Sequence, residues 1–405
     1  VETPAIEGGT PVRREPMSFW PSFTEEEKRL VLSVLDSGRL VSHFGPYTRR
    51  FEEEFAGYIG ARHAVAVSNG TAALHTALAA LGVGAGDEVI TTPFSFVATA
   101  TSILHANAVP VFADIELDTL NLDPGTVEDR ITPRTKAIIV VHLAGHPAEM
   151  DEIMRIAGEH GLAVIEDAAQ AVGSEYRGRR VGGIGDAATF SFYQSKNMTT
   201  GEGGMVTTQR DDVAEAARLF INHGQRRRYL HESLGWNYRM TELQAALGIG
   251  QLHRVEELNA ARERIARVYL EELAGLDGDL LRLPRPRSYV KTNWHIFQVL
   301  LELERLRVDR DRVVEAMRAE NVLALVNYPR TIYENPLFQR LDGYGRGCPW
   351  SCAFQAGRRY PPGTSPRAEY AARRVVTLPT LAGMAEEDAV DIAKALRKIL
   401  VYYRR

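Results

Sequence analysis

Three short stretches carry residue types that could do chemistry together. In "SNGTAALHTALAAL" (68–81) a strand ending at Val67 gives way to small polar residues that open an Ala/Leu-rich helix. The amides of Gly70, Thr71 and Ala72 and the Thr71 hydroxyl then form an anion site, helped by the helix dipole. "VIEDAAQA" (164–171) ends an apolar strand with two acids, and a carboxylate at the carboxyl end of a parallel strand stands where such sheets bind ligands. One of Glu166 and Asp167 could equally cap a following helix. In "FSFYQSKNMTTGEGG" (190–204) an apolar segment runs through Lys196 into a Thr/Gly-rich turn, which by itself reads as a solvated loop lysine. Each signal is weak alone. In this order and spacing they match the three handles of pyridoxal phosphate: its phosphate, its ring nitrogen and its aldehyde.

Such groups need a scaffold that brings distant segments to one edge. Between residues 60 and 210 short β-branched runs alternate with helical stretches: "HAVAV" (63–67), "EVITT" (88–92), "VPVFAD" (109–114), "AIIVVH" (137–142), "LAVIED" (162–167), "AATFSF" (187–192) and "GMVTT" (204–208). This alternation predicts an α/β domain with a seven-stranded, mainly parallel sheet covered by helices on both faces. Ahead of it, one helix opens at Thr24 and stops at Gly38, and a second follows around "PYTRRFEEEFAGYIG". From about residue 240 helical periodicity runs on for a long stretch before fresh strand and helix signals appear in "WHIFQVLLEL" and "DRDRVVEAMRAEN". We therefore divide the chain into an N-terminal arm and large domain (1–275) and a smaller C-terminal α+β domain (276–405). "GVGAGDEV" (82–89) has nucleotide-turn spacing, but it leads from a helix into a strand, the reverse of a dinucleotide fingerprint, and reads as a tight connection.

Composition narrows the function. The 405 residues are 45% hydrophobic and 25% charged with a formal net charge of −4, enough for a sizeable core and without the basic footprint of a nucleic-acid or anionic-membrane binder. No apolar run approaches the ~20 residues of a membrane span, and the first residues lack the basic start and apolar stretch of a secretory leader. We expect a cytoplasmic protein with neither nucleic acid nor membrane as partner. Cys348 and Cys352 in "CPWSC" have no further ligands at a usual zinc spacing, so they read as reduced structural thiols and no metal site is expected.

"SNGTAAL", "VIEDAAQAVGSEYRGRRVGGIGDAATFSFYQSKNMTTGEGGMVTT" and "GWNYRMTELQAALG" resemble the DegT/DnrJ/EryC1/StrS aminotransferases, which act on keto-sugars and keto-cyclitols and have the pyridoxal phosphate fold type I of aspartate aminotransferase. The resemblance covers most of residues 10–400 and is most specific between 60 and 250. It implies that Lys196 carries the internal aldimine and then serves as the acid/base, and that Asp167 pairs with the pyridinium nitrogen. It places Gln170, one helical turn on, against one face of the cofactor and Phe96 against the other, with Phe94 the weaker candidate. Gly70, Thr71 and Ser191 match phosphate-binding positions. Asn237 matches an asparagine that reaches the phosphate from the neighbouring subunit, which implies at least a homodimer with shared active sites.

The implied reaction is a ping-pong transfer of an amino group from L-glutamate or L-glutamine to a nucleotide-linked keto-sugar or a keto-cyclitol. Related dehydratases carry histidine in place of the Schiff-base lysine, so the lysine here argues against that alternative. Some relatives were named as regulators, but a non-catalytic binding role does not explain a full set of cofactor handles. Arg226, Arg227 and Arg228 could meet a nucleotide diphosphate or simply form a solvated basic loop. His295, Tyr328 and Arg330 fall where family members approach substrate.

Overall fold

The computed structural model of the chain describes residues 2–352, 357–381 and 383–405. Two helices come first, α1 (Glu25–Ser37) and α2 (Tyr47–Ile59). Thr24 and Glu27 exchange the side-chain and backbone bonds of a capping box at the start of α1, and Gly38 ends it at φ 65°, a conformation that costs glycine nothing.

The large sheet follows through β1 (His63–Val67), α3 (Gly70–Ala80), β2 (Glu88–Thr91), α4 (Ala98–His105), β3 (Val109–Phe112), β4 (Thr135–Val141), α5 (Met150–His160), β5 (Ala163–Asp167), β6 (Ala187–Ser191), β7 (Gly204–Thr208) and α6 (Asp211–Phe220). The seven strands lie in the order β1-β7-β6-β5-β4-β2-β3. β7 runs antiparallel to both neighbours, and every other pair is parallel. Alternation divides the apolar side chains between two faces: Ala64, Ile90, Ile138 and Val164 enter one core, while Val65, Val89, Ile139 and Ile165 enter the other. Both faces are thus covered, which is why these strands read as nearly continuous apolar runs.

The long helical stretch after residue 240 is two helices, α7 (Glu242–His253) and α8 (Val255–Leu273), broken at Arg254, whose φ of −118° leaves the helical range. A second core gathers around β8 (Leu281–Arg282), β9 (Phe297–Leu301), α9 (Arg310–Ala319), β10 (Val375–Leu378) and α12 (Glu386–Tyr403), while α10 (Pro336–Arg340) and α11 (Pro366–Arg374) pack in two smaller clusters with Phe112 and Phe94 respectively. β9 is the middle of three strands and runs antiparallel to both neighbours. Val255 at the start of α8 packs in the large-sheet core, whereas Ile265, Tyr269 and Leu273 pack in the second core beside Met17 of the N-terminal arm. α8 therefore ties the two cores together. Among the described residues no helix is long and apolar enough to cross a membrane.

Candidate active site

At the carboxyl ends of β5 and β6 a cavity of about 1060 Å³ opens. Gly70, Thr71, Phe96, Asp167, Gln170, Ser191 and Lys196, drawn from four separate segments, all line it, and so do His295, Tyr328 and Arg330 from later in the chain.

Its anion end is where β6 meets the start of α3. Asn69 caps that helix by accepting the Ala72 amide at 2.8 Å, so the Ala72 amide is already taken and only those of Gly70 and Thr71 are left for an anion. This corrects the three-amide expectation. Gly70 has a further reason to be glycine: a Cβ there would stand 2.8 Å from the Ser191 Cβ.

Glu166 and Asp167 are neighbours with opposite fates, because successive residues of a strand face opposite sides. Glu166, fully buried, accepts the amides of Gly182 at 2.8 Å, Ile184 at 2.8 Å and Gly185 at 2.7 Å. It also takes a proton-bearing nitrogen from His142 at 2.9 Å, because the other ring nitrogen of His142 accepts the Ala148 amide. Asp167 faces the cavity, accepting the Thr99 hydroxyl at 2.9 Å and the Ala169 amide at 3.3 Å. Burial raises its pKa, while those two bonds and the charge of Lys196 oppose the rise. Neither acid caps a helix, since residues 168–173 form turns. Gln170 accordingly sits in a turn rather than one helical turn on. Its carbonyl accepts the Ala144 amide at 2.7 Å and its amide donates to the Tyr328 hydroxyl at 2.7 Å, which fixes its orientation.

Lys196 lies in the turn that follows β6, its amide bonded to the Tyr193 carbonyl at 2.9 Å. The residue keeps some surface exposure, but its amine is enclosed by the cavity walls. Desolvation brings its pKa down to about 8; Asp167 opposes that shift and Arg262 adds to it. Close to neutral pH a useful fraction of the amine is thus uncharged.

Phe96 is 61% exposed toward the cavity, whereas Phe94 is fully buried with its ring edge-on to Tyr328 at 5.5 Å. Phe96 is the ring left free to stack. His295 is buried, and its Nδ1 lies 3.1 Å from the Asn197 carbonyl oxygen. The Asn197 amide already donates to Asn259 and to the Asn293 carbonyl, so His295 carries its proton on Nδ1 and leaves Nε2 unprotonated. Burial, then the charges of Lys196 and Arg262, push its pKa well below the ordinary value and keep the ring neutral.

Other expected residues stand apart. Asn237 is exposed, bridges Asn222 through the backbone, and does not line this subunit's cavity. Arg226 is engaged by Glu215 and Glu232, and the Arg228 guanidinium lies over the Tyr229 ring at 5.1 Å. Cys348 and Cys352 are free thiols with their sulfurs 3.2 Å apart. Two residues escaped the sequence reading. Thr99 sits three positions after Phe96 at the start of α4, where a polar residue reads as helix filler; Arg262 sits in a charged helix, where it reads as solvated surface.

The cavity fits pyridoxal phosphate. A buried carboxyl held at a raised pKa and facing open space is one that a cationic ring nitrogen would return to its charged form. The enclosed amine is ready for a carbonyl, and the Gly70–Ser191 contact leaves backbone within reach of an anion.

The relatives agree. The chain is 40% identical to the GDP-perosamine synthase of Caulobacter vibrioides over 94% of its own length and 97% of that protein. It is 44% identical to a putative L-glutamine:3-amino-2,3-dideoxy-scyllo-inosose aminotransferase of Streptoalloteichus tenebrarius, over 78% of each. The X-ray structure of DesV of S. venezuelae with a ketimine intermediate superposes with a TM-score of 0.83 at 38% identity, covering 93% of this chain and 94% of that one. The sequence profile of the DegT/DnrJ/EryC1/StrS aminotransferase family matches residues 21–397. The chain belongs to that family and is a pyridoxal phosphate-dependent aminotransferase of fold type I.

Proposed function

We propose that this enzyme acts in the cytoplasm as a homodimer with shared sites, moving an amino group from L-glutamate or L-glutamine to the keto group of a nucleotide-linked keto-sugar or a keto-cyclitol. The observation that carries this reading is one cavity holding both a depressed lysine amine, Lys196, and a buried carboxyl, Asp167, with room beyond them for a substrate. The names of the relatives support both acceptor classes, one a GDP-perosamine synthase and one an inosose aminotransferase.

Pyridoxal phosphate, when bound, supplies an aldehyde that captures amines and a ring that draws electrons from the carbon losing its proton. Gly70, Thr71 and Ser191 would hold the phosphate, Asp167 would pair with the ring nitrogen, and Phe96 and Gln170 would cover the two faces. Lys196 Nζ takes the proton from the donor's α-carbon and returns one in the opposite sense when the acceptor arrives, a task that needs its uncharged form. Tyr328 and Arg330 orient the acceptor. Because one cavity serves both amine partners, the donor leaves as a 2-oxo acid before the keto substrate enters.

Two observations support the dimer. Asn237 does not line its own cavity, and large apolar side chains are exposed both next to it in the chain, Leu234 and Trp236, and on the N-terminal segment, Leu32, Leu35 and Phe44. Lys196→Ala and a disabling Asn237 variant, refolded together, recover activity in about a quarter of sites if pairing is random, because a mixed dimer has one site with both lesions and one with neither. No recovery in confirmed mixed dimers places Asn237 in its own subunit's site.

The central test is borohydride reduction of the loaded enzyme followed by peptide mass mapping, which labels Lys196; a label on another lysine refutes the proposal. Enzyme pre-reacted with glutamate and offered keto-sugar nucleotides or keto-inositols one at a time then identifies the acceptor as the compound that restores the starting absorbance.

A further inference from the structure

We propose that Arg262 is a positioning residue for the Lys196 amine, anchoring its turn and setting the charge that surrounds it. The inference rests on the aminotransferase reading above and adds a residue outside the cofactor's expected contacts. α8 carries Asn259 and Arg262 three residues apart and so on one face. Both reach the turn that holds the lysine. Arg262 Nη2 donates to the Ser195 carbonyl at 3.5 Å and the Lys196 carbonyl at 3.4 Å, and Nη1 donates to the His295 carbonyl at 3.0 Å. Asn259 accepts the Asn197 side-chain amide at 2.7 Å, and Asn197 in turn holds His295. One helix face therefore fixes the lysine and the neutral histidine relative to each other.

The charge of Arg262 has no obvious structural use. The side chain is 2% exposed, and among the described residues no carboxylate neutralises it; Nε has no hydrogen-bond partner. Burying an unpaired guanidinium is costly, and three carbonyl dipoles offset that cost only in part. Three carbonyls could also be tied by neutral donors. What a neutral donor cannot supply is a fixed positive charge beside Lys196.

The groups around that amine are few. Asp167 at the end of β5 favours its protonated form, and Arg262 from α8 disfavours it. His295 is held neutral by burial, and burial pushes the Tyr328 hydroxyl up to about 12, so neither supplies charge near pH 8. Glu202, His105 and Arg330 also line the cavity, but among the described residues the only charges that weigh on the amine are those of Asp167 and Arg262. Arg262 is thus the counterweight to Asp167.

The test uses the apo forms of the wild-type, Arg262→Met and Arg262→Lys enzymes. It follows the rate at which visible absorbance develops on adding pyridoxal phosphate across pH 6–10, with borohydride labelling of Lys196 as the covalent readout. In the wild type the rate should climb through about pH 8. Arg262→Met should move that climb about one pH unit higher, making capture at pH 7 about tenfold slower. Arg262→Lys keeps the charge but cannot span three carbonyls, so its climb should stay in place while kcat falls. Circular dichroism establishes folding. If only the lysine variant folds, an unshifted climb with reduced kcat supports the assignment, and wild-type kcat overturns it. A folded Arg262→Met enzyme with the wild-type pH profile also overturns it. Failure of the wild type itself to capture the cofactor on Lys196 would instead refute the aminotransferase reading.

Discussion

The cavity has two walls built on different principles. The inner wall is made of the ends of regular elements: Asp167 closes β5, Ser191 closes β6, and Gly70 and Thr71 open α3. The outer wall comes from irregular chain in which two non-glycine residues adopt left-handed backbone, Trp294 at φ 50° beside His295 and Tyr328 at φ 62° two residues before Arg330. Such conformations persist only where the surroundings impose them. The groups needed in both half-reactions thus stand at the ends of sheet strands or in the turns directly after them, as Lys196 and Gln170 do, and those that would meet only the acceptor stand on loops that can vary without disturbing the sheet.

Variants on the inner wall should impair donor and acceptor chemistry alike. Lys196→Ala should reduce turnover by ~10³-fold or more, measured with saturating donor and acceptor. Asp167→Asn removes the charge that pairs with the ring nitrogen and should lower kcat by ~10²-fold in each half-reaction, read by single-turnover absorbance. A loss confined to one half-reaction would break the contrast between the walls. Acid should act on the inner wall as well. A lysine with its pKa brought down to about 8 is largely uncharged at pH 9 and largely charged at pH 7. Cofactor capture should accordingly slow by about tenfold over that range, measured by stopped-flow absorbance.

Arg330→Ala, on the outer wall, should raise KM for the acceptor by ~10-fold while leaving the donor half-reaction unchanged. Arg226→Ala, outside both walls, should alter KM for the acceptor by less than about twofold, because its guanidinium is already paired with Glu215 and Glu232 at the surface. A larger effect that is selective for nucleotide-linked acceptors would extend the outer wall to the 225–231 hairpin.

The two walls also differ in how far they can be read from sequence. The seven strands announce themselves locally as apolar runs, whereas Gly70, Asp167 and Lys196 give only weak local signals, a small polar helix start, an acid at a strand end and a lysine before a Gly-rich turn, and it is their order and the family resemblance that join them. What stayed hidden depends on contacts far apart in the chain. The Thr99 hydroxyl earns its place only when α4 is laid across the end of β5. The turns after Asp167 follow from Gln170 being held between Ala144 and Tyr328, partners from two other segments. The break at Arg254 is invisible to a periodicity that continues on either side of it. Arg262 looks like one charge among many on an amphipathic helix until the Lys196 turn is packed against it. Asn69 is different: an asparagine before a helix is a local capping signal, and it could have shown that the Ala72 amide was spoken for.

The contact between Gly70 and Ser191 has an evolutionary consequence. With only 2.8 Å available to a Cβ at position 70, alanine there collides with the Ser191 side chain, and the collision is relieved only if position 191 shrinks. A glycine at position 191 would make that room but remove a hydroxyl from the anion end. Each single step is therefore disfavoured for its own reason, and drift at one position is constrained by the residue at the other. Two residues on different elements, far apart in the chain, are expected to change as a correlated pair or not at all.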